Sequence, residues 1–302
     1  MLRKSVKIGN KTVGDGDACY FVAEIGINHN GSLDIARQLI DAAVDAGCDA
    51  VKFQKRTVDI VYTAEELAKP RENPFGVTNG DLKRGLEFGF DAYKEIDKYC
   101  KSKGIAWFAS CWDEKSVDLM RQFDPPCYKI ASPSLTDDNL LRYHRKQGKP
   151  IIISTGMSDI KIIDHAVEVL GTDDLIMMHC TSTYPSKPEE LNLLGIEALR
   201  KKYDIPIGYS GHEVGLYTTL AAVALGACMA ERHITLDRAM WGSDQVASVE
   251  PQGLARLVSD IKTWGKARGD GHIKIYESEI PIIKKLRRVG AEIPEYSKTK
   301  KG

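Results

Sequence analysis

The feature that most constrains the fold is a series of short apolar runs separated by amphipathic segments of helical length. Near-continuous apolar runs of this length are typical of parallel strands that are covered on both faces. Three consecutive runs begin at positions 127, 151 and 175, an even spacing that suits one strand plus one helix. The runs are Tyr20–Gly26, Ala50–Gln54, Ala106–Cys111, Cys127–Ser132, Ile151–Gly156, Leu175–Cys180, Pro206–Gly211 and Met229–Thr235.

The segments between these runs carry the signals of helices. Residues 33–46 form one apolar face, with Ser32 as the N-cap before them and Gly47 as the stop after them. Pro251 begins another such segment. Repeated strand–helix units predict an α/β fold, a closed (β/α)8 TIM barrel rather than an open doubly wound sheet. A Rossmann fold is disfavoured because the first run continues into a loop without the GxGxxG fingerprint.

The pattern along the chain predicts three segments. Residues 1–17 are expected to hold a β-hairpin, residues 18–270 the catalytic barrel, and residues 271–302 a C-terminal extension and tail. A long connection, residues 55–90, follows the second strand and contains several Pro and Gly residues. Connections of this length inside a domain are often functional, so we interpret it as a lid, with a peripheral insertion as the alternative.

Charge and composition disfavour several classes of partner. The chain has 42 basic and 42 acidic residues, so nothing electrostatic favours nucleic acid or an anionic membrane. No apolar run is long enough to span a bilayer, and the N-terminus lacks the apolar segment of a secretory signal. The seven cysteines are scattered without a CxxC pair, which suits reduced thiols. We therefore expect a cytoplasmic protein without nucleic-acid or membrane partners.

Polar side chains stand at the ends of the runs, where a barrel places its chemistry. Taken singly, each is explained as a turn, cap or ion-pair residue. Together, two lysines and several hydroxyls favour a small polyanion as ligand. His212 and His233, on adjacent strands, have the donor type to share a metal ion, but they fit equally well as core histidines. The candidates are Glu24, Lys52, Gln54, Ser110, Lys129, Ser132, Ser154, Ser182, Tyr184, Ser210, His212, Glu231, His233 and Asp244.

Ordered motifs at these strand ends make the chain resemble the sialic acid (N-acetylneuraminate) synthase family over most of residues 18–270. They are AEIGINHNGS (23–32), AVKFQK (50–55), YKIAS (128–132), IISTGM (152–157), HCTSTYP (179–185), YSGH (209–212) and ERHIT (231–235). The resemblance implies a metal-dependent transferase that condenses phosphoenolpyruvate with an open-chain N-acetylated hexosamine. The implied acceptor is N-acetylmannosamine or a diacetamido-dideoxyhexose, and the implied products are a sialic-type (nonulosonic) 2-keto-3-deoxy acid and phosphate.

The resemblance also implies roles for individual residues. Glu24 is the implied acid/base group, which we expect to be ionised beside a cation, and Asp244 is the second choice. His212 and His233 are the implied ligands of a divalent ion, Mn2+ first and Zn2+, Co2+ or Fe2+ as alternatives. The implied sugar contacts are Gln54, Tyr184 and Asp244, and the implied phosphoenolpyruvate contacts are Lys52, Ser110, Lys129, Ser132, Ser154, Ser182 and Ser210.

The sequence departs from the family pattern in three places. Ser182 stands where the family commonly has Asn, and it still offers a hydroxyl to phosphate. Ser134 stands where the family often has Glu, so a charge is lost there. Typical members add a C-terminal antifreeze-like domain that contributes an arginine to the partner's sugar site, and we expect none in this chain. The sugar therefore differs, or another surface such as Arg71 and Glu72 contacts it. A homodimer is an expectation from the family.

Three alternatives stay open at this point. One is a related phosphoenolpyruvate-dependent synthase that acts on another aldose or on an aldose phosphate. A second is a Schiff-base enzyme that uses Lys129. The third is a sugar-binding or scaffold subunit without activity, against which the charged residues at the strand ends argue. The motifs leave the acceptor sugar, the metal ion and the oligomeric state open.

Overall fold

The structure, a computed structural model, describes residues 4–290. One strand lies within or at each apolar run that the sequence analysis singled out. In chain order the strands are β1 (Val6–Ile8), β2 (Lys11–Val13), β3 (Tyr20–Gly26), β4 (Ala50–Lys55), β5 (Pro70–Asn73), β6 (Gly76–Thr78), β7 (Ala106–Cys111), β8 (Tyr128–Ile130), β9 (Ile151–Ser154), β10 (Leu175–Cys180), β11 (Ile207–Gly211) and β12 (Met229–His233).

Eight of these strands form one closed parallel barrel in the order β3, β4, β7, β8, β9, β10, β11 and β12, and β12 pairs back to β3. The first and last barrel strands meet directly, with His233 opposite Glu24. β1 and β2 form a separate antiparallel hairpin. The prediction of a (β/α)8 barrel with an N-terminal hairpin is therefore confirmed.

Helices follow the barrel strands as the repeated pattern requires. The first begins after Ser32, whose Oγ accepts a hydrogen bond from the Ile35 backbone N–H, and it ends at Gly47, which has a φ of 75°. The helices are α1 (Leu33–Ala46), α2 (Val58–Val61), α3 (Ala64–Ala68), α4 (Asn79–Gly85), α5 (Phe90–Lys103), α6 (Glu114–Arg121), α7 (Asp138–Arg145), α8 (Ile160–Leu170), α9 (Leu194–Lys202), α10 (Tyr217–Ala224), α11 (Pro251–Ala267) and α12 (Ile280–Leu286).

The connection after β4 is an ordered element with its own secondary structure. It contains α2, α3, the β5–β6 hairpin and α4. Phe75 at the hairpin turn fills the space beside Gly85, where a Cβ would lie 2.1 Å from the Phe75 ring. At the ends of the connection, Lys55 and Arg56 both form ion pairs with the Glu87 carboxylate, at 3.1 and 2.7 Å. These contacts fix the segment against the barrel.

The β1–β2 hairpin covers the N-terminal end of the barrel. Val6, Ile8 and Val13 belong to one buried apolar cluster with residues from the barrel strands, among them Ala50 and Met229. Burial of a Val or Ile side chain contributes roughly 1.5–3 kcal/mol, so this cluster stabilises the closed barrel. The polar strand ends lie at the opposite, C-terminal end of the barrel.

Contacts within the chain define two compact units, Met1–Thr263 and Trp264–Gly302. The first unit contains the hairpin and the barrel, and α12 belongs to the second. The predicted segments 1–17, 18–270 and 271–302 stay predictions, and residues 1–3 and the tail from 291 onward lie outside the described residues. Among the helices of residues 4–290, none combines the length and the apolar character needed to cross a membrane.

Candidate active site

A cavity of about 240 Å³ opens at the C-terminal end of the barrel, and every barrel strand contributes to its wall. All of the predicted site residues except Asp244 line it. A larger groove of about 650 Å³ runs along the start of α11 and contains none of them, so cavity size alone does not mark the site. The lining residues that carry polar groups are Glu24, Lys52, Gln54, Ser110, Lys129, Ser132, Ser154, Cys180, Ser182, Tyr184, Ser210, His212, Glu231 and His233.

Two lysines and two glutamates form a buried network inside this cavity. Lys52 Nζ lies 3.3 Å from Glu24 Oε2 and 3.2 Å from Glu231 Oε1. Lys129 Nζ lies 3.4 Å from the same Glu231 oxygen, which also accepts a hydrogen bond from Ser210 Oγ at 2.9 Å. The sequence analysis assigned no role to Glu231. Glu231 lies two residues before His233, so both side chains are on the same face of β12, and this spacing could have identified Glu231 as a site residue.

The pKa values of the two carboxyl groups in this network are shifted in opposite directions. Burial raises the pKa of Glu24, and this effect outweighs the attraction of Lys52. Burial also acts on Glu231, but the nearby charges of Lys129 and Lys52 hold its pKa well below its usual range. Glu24 therefore keeps a proton more readily than Glu231, an arrangement that separates an acid from a carboxylate. The expectation of an ionised Glu24 beside a bound cation stays a prediction, because the raised pKa describes the protein alone, where loss of water dominates at this position.

The two lysines of the network also differ from each other. Burial lowers the pKa of a lysine, but the Glu231 and Glu24 carboxylates together raise the pKa of Lys52 above its usual value. The pKa of Lys129 is lowered by burial, with repulsion from Lys52 adding to the effect. Lys52 is thus the more firmly charged group, and Lys129 loses its proton more easily.

Hydroxyl groups and a glycine form a small polar recess beside Lys129. The Gly156 N–H donates to Ser132 Oγ at 3.1 Å. A Cβ at Gly156 would lie 2.1 Å from Ser182 Oγ and 2.8 Å from Ser132 Oγ, so only glycine leaves this space open. Ser154 Oγ is buried and has no hydrogen-bond partner among the described residues. Because buried hydroxyls are rarely left unsatisfied, the Ser154 hydroxyl is available to a ligand atom in this recess.

His212 and His233 face each other with ring centres 5.4 Å apart. His212 Nδ1 lies 2.7 Å from the Thr181 carbonyl oxygen, which fixes that nitrogen as a donor and leaves Nε2 with its lone pair. Burial lowers the pKa of His233 to about 3, so its ring is neutral, and its buried Nδ1 has no hydrogen-bond partner in the described part of the chain. In its neutral form, each ring thus offers a nitrogen lone pair.

This donor set fits a divalent ion. Two imidazoles that share one ion through bonds of about 2.1 Å would have ring centres roughly 5 Å apart, close to the observed spacing. Over residues 4–290, no group of three or more His, Cys, Asp or Glu side chains is arranged to hold a metal. The protein would therefore supply two nitrogens and leave the other coordination positions to water and substrate, as open catalytic sites do.

Cys180 is a site residue that the sequence analysis missed, because it treated all the thiols as core packing. All seven cysteines, which lie within the described residues, are free thiols. Cys180 Sγ lies 3.8 Å from His212 Nδ1. Burial alone would raise the pKa of Cys180, but His212 outweighs it and the pKa is lowered, while the pKa of His212 is raised despite its burial. For the other six thiols, by contrast, burial raises the pKa.

The residues expected to contact the sugar are only partly brought together. Gln54 Nε2 donates to Glu24 Oε1 at 3.1 Å. The Tyr184 ring lies 4.1 Å from the His212 ring, centre to centre. Asp244 is absent from the cavity wall, and its Oδ2 lies 3.9 Å from His233 Nδ1. The neighbouring Gln245 is fully buried and donates to the Trp241 carbonyl oxygen at 3.3 Å, which anchors the loop after β12.

Arg71 and Glu72, the candidates for closing the site, line a different cavity. This second cavity measures about 380 Å³, and Lys83 and Trp241 also line it. It shares no lining residue with the central cavity. The structure therefore does not bring Arg71 or Glu72 to the wall on which the predicted site residues lie.

Comparison with known proteins gives consistent relatives. The model of the NeuB family matches residues 39–273. The human protein named N-acetylneuraminate-9-phosphate synthase is 37% identical, over 94% of this chain and 81% of its own length. The N,N'-diacetyllegionaminic acid synthase of Legionella pneumophila is 33% identical, over 93% of this chain and 82% of its own.

A solved structure extends the likeness to three dimensions. The N-acetylneuraminic acid (sialic acid) synthetase of Leptospira borgpetersenii, determined in complex with citrate, superposes with a TM-score of 0.84 at 30% identity. The match covers 95% of this chain and 99% of that one. Since the family match spans well over half of the sequence and the relatives align along most of their lengths, this chain belongs to the NeuB family.

Proposed function

We propose that this protein condenses phosphoenolpyruvate with an open-chain N-acetylated hexosamine to form a nonulosonic 2-keto-3-deoxy acid and phosphate. The proposed acceptor is N-acetylmannosamine or a diacetamido-dideoxyhexose. One observation carries the proposal: a single cavity at the C-terminal end of the barrel holds two buried lysines, an unsatisfied serine hydroxyl and two facing histidines. The names of the relatives, sialic-type and legionaminic acid synthases, support the same class of reaction.

Phosphoenolpyruvate binds, in this proposal, at the lysines and hydroxyls. Lys52 and Lys129 supply positive charge for its carboxylate and phosphate, and both are buried, so the attraction is weakly screened. Ser154 and Ser182 donate hydroxyl hydrogens to phosphate oxygens in the recess beside Gly156. Ser110 already accepts from Lys52 Nζ at 3.1 Å and so orients that ammonium group. These contacts hold the enol carbon next to the space above Glu24.

His212 and His233 would hold a divalent cation, Mn2+ first and Zn2+, Co2+ or Fe2+ as alternatives. When bound, such an ion supplies Lewis acidity toward the aldehyde oxygen of the sugar. The two residues supply neutral nitrogen donors, and the Thr181 carbonyl keeps the His212 ring in one tautomer. The Tyr184 ring, which lies against the His212 ring at an interplanar angle of 37°, limits the directions from which the sugar reaches this side of the cavity.

Glu24 and Glu231 then divide the proton and charge chemistry. C3 of phosphoenolpyruvate forms a bond to the aldehyde carbon, and the aldehyde oxygen takes the proton of Glu24. Positive character develops at C2, which the Glu231 carboxylate stabilises. Water adds to C2 and returns a proton to Glu24. The C2–O bond to phosphate breaks with its electron pair, the new hydroxyl gives its proton to the departing phosphate, and a ketone remains.

The test is phosphate release from phosphoenolpyruvate with Mn2+ and a panel of sugars, with mass spectrometry of the product. We expect release with one N-acetylated hexosamine, and we expect its loss on chelation and in His212→Ala. His165→Ala is the matched control, because His165 is exposed and pairs with Asp138 on the outside of the barrel. Failure to bind phosphoenolpyruvate at all would overturn the proposal.

A phosphorylated acceptor is the second candidate. The observation that favours it is the 37% identity to a protein named as a 9-phosphate synthase. The panel therefore includes the 6-phosphate of N-acetylmannosamine and the phosphates of arabinose and erythrose. A higher kcat/KM for a phosphorylated sugar than for its free form would select this candidate.

The lowered pKa of Lys129 keeps a Schiff-base enzyme testable, and borohydride with pyruvate should leave Lys129 unmodified if the condensation is correct.

The free thiols support a cytoplasmic location. We also propose a homodimer, which the mass of the protein in solution would reveal.

A further inference from the structure

A buried ion pair lies beside the two facing histidines, outside the cavity. Glu213 directly follows His212, and Arg232 directly precedes His233. Glu213 Oε1 and Arg232 Nη1 are 3.2 Å apart, and each side chain is 1% exposed. Neither residue lines the cavity. Because side chains alternate along β12, Arg232 points to the opposite face of the strand from His233.

The contacts of Glu213 reach both β11 and the helix that follows it. Tyr209, on β11, donates its hydroxyl to Glu213 Oε2 at 2.9 Å. Thr218 and Thr219, at the start of α10, donate to Glu213 Oε1 at 2.7 and 3.0 Å. The carboxylate thus connects the strand before His212 with the helix after it, and it fixes the backbone on both sides of that histidine.

The contacts of Arg232 bring the same segment to β12. Its Nη1 donates to the Gly215 carbonyl and to Thr219 Oγ1, both at 2.8 Å. Its Nη2 donates to the backbone carbonyl of Glu213. A planar guanidinium that makes several bonds in fixed directions defines position more tightly than a lysine does. The guanidinium of Arg232, the residue next to His233, therefore holds the segment that follows β11 against β12.

Stability alone is a weak explanation for this pair. Loss of water around two buried charges largely offsets their attraction, and well-packed apolar residues of similar size often stabilise a fold as well or better. A metal site with only two protein ligands, on the other hand, depends on the mutual position of those ligands. Such outer contacts typically change metal affinity by about 10- to 100-fold when they are removed.

We propose that Glu213 and Arg232 are positioning residues that hold His212 and His233 at the spacing required for a shared divalent cation. This inference rests on the proposed metal role of the two histidines. The pair acts from outside the barrel wall and touches neither substrate. Its removal should therefore change the affinity for the metal and leave the binding of phosphoenolpyruvate intact.

The test compares Arg232→Lys and the double variant Glu213→Gln/Arg232→Met with the wild-type full chain. Mn2+ affinity of the metal-stripped proteins is measured by electron paramagnetic resonance, phosphoenolpyruvate affinity by calorimetry without metal, and stability by thermal melting. We expect Mn2+ to bind about 10- to 100-fold more weakly to both variants, with phosphoenolpyruvate affinity unchanged. The uncharged double variant should melt close to the wild type, because no unpaired buried charge remains.

Arg200→Lys is the matched control. Arg200 also forms a two-pronged ion pair, with Asp15, but it lies on α9 away from the histidines. Its substitution should leave Mn2+ affinity unchanged. If the double variant binds Mn2+ with wild-type affinity, the positioning role is wrong, although the proposed metal site is unaffected. If the wild-type protein binds no Mn2+ that His212→Ala abolishes, the proposed metal site fails, and the positioning role fails with it.

Discussion

The two ends of the barrel are built from the same strands but have opposite chemistry. On β4 every second residue faces inward. Ala50 belongs to the apolar cluster, whereas Lys52 and Gln54, the next two inward-facing residues, line the cavity. On β12 the inward-facing residues change from Met229 to Glu231 in the same way. The difference shows that one set of strands carries stability at one end and charge at the other. Substitutions at the two ends should therefore have separable effects.

The largest expected effect is at the charged end. Lys129→Met removes one of the two cations that face phosphoenolpyruvate, and we expect kcat/KM for phosphate release to fall by about 10³-fold. The melting temperature should change little, because Lys129 holds down the pKa of Glu231 and, less strongly, that of Glu24, so its loss lets a carboxyl group keep a proton. Lys161→Met, at an exposed position on α8, is the control. Loss of folding together with activity would contradict the separation of the two ends.

The next effect is at the apolar end. Ile8→Ala leaves a cavity in the cluster beneath the barrel, and we expect unfolding to become easier by about 2–5 kcal/mol in chemical denaturation. The KM for phosphoenolpyruvate of the folded protein should stay at its wild-type value. Lys7→Ala is exposed on the same strand and should change neither quantity. A raised KM in Ile8→Ala would show that the two ends are coupled.

A smaller effect is expected from Ser154→Ala. We expect phosphoenolpyruvate to bind about 10-fold more weakly, because one hydrogen bond to a charged ligand is lost. The free protein should be at least as stable as the wild type, since the buried Ser154 hydroxyl has no partner in the described residues. Calorimetry and thermal melting measure both quantities, with Ser102→Ala on the exposed face of α5 as the control. Unchanged affinity would remove Ser154 from the anion site.

The smallest effect concerns the connection between β4 and α5. Arg71 lines a separate cavity, so Arg71→Ala should change the KM of the sugar by less than about 2-fold, an energy below that of an ordinary hydrogen bond. Steady-state kinetics with saturating phosphoenolpyruvate measures this. A large rise in the sugar KM would instead support closure of the site by this segment. The sugar site would then extend beyond the central cavity to Arg71.

The strands and their polar ends were predictable because burial and alternation are local properties. The run at 127–132 was predicted too long, since Ser132 and Pro133 enter a 3₁₀ turn after β8. The helices α2, α3 and α4 were missed because each is too short to show a helical period.

Residues whose role depends on partners far along the chain were harder to predict. The position of Glu231 between Lys52 and Lys129 becomes visible only when β12, β4 and β8 come together. The position of Asp244, whose Oδ2 lies 3.9 Å from His233 Nδ1 without lining the cavity, depends on a loop that also buries Gln245, and no sequence period reports that loop. By contrast, the two histidines were found because adjacent barrel strands end at one level.

The hairpin at the N-terminus also has a consequence for synthesis on the ribosome. Its residues emerge before those of the barrel, but the cluster that buries Val6 and Ile8 includes Met229, on the last barrel strand. Some partners of the hairpin, such as Tyr20 and Ala50, are translated soon after it, but the cluster is complete only when nearly the whole barrel has been translated. During that interval the hairpin exposes apolar side chains on the nascent chain, and chaperones bind surfaces of this kind. Closure of the barrel and shielding of the hairpin are then one event, late in translation.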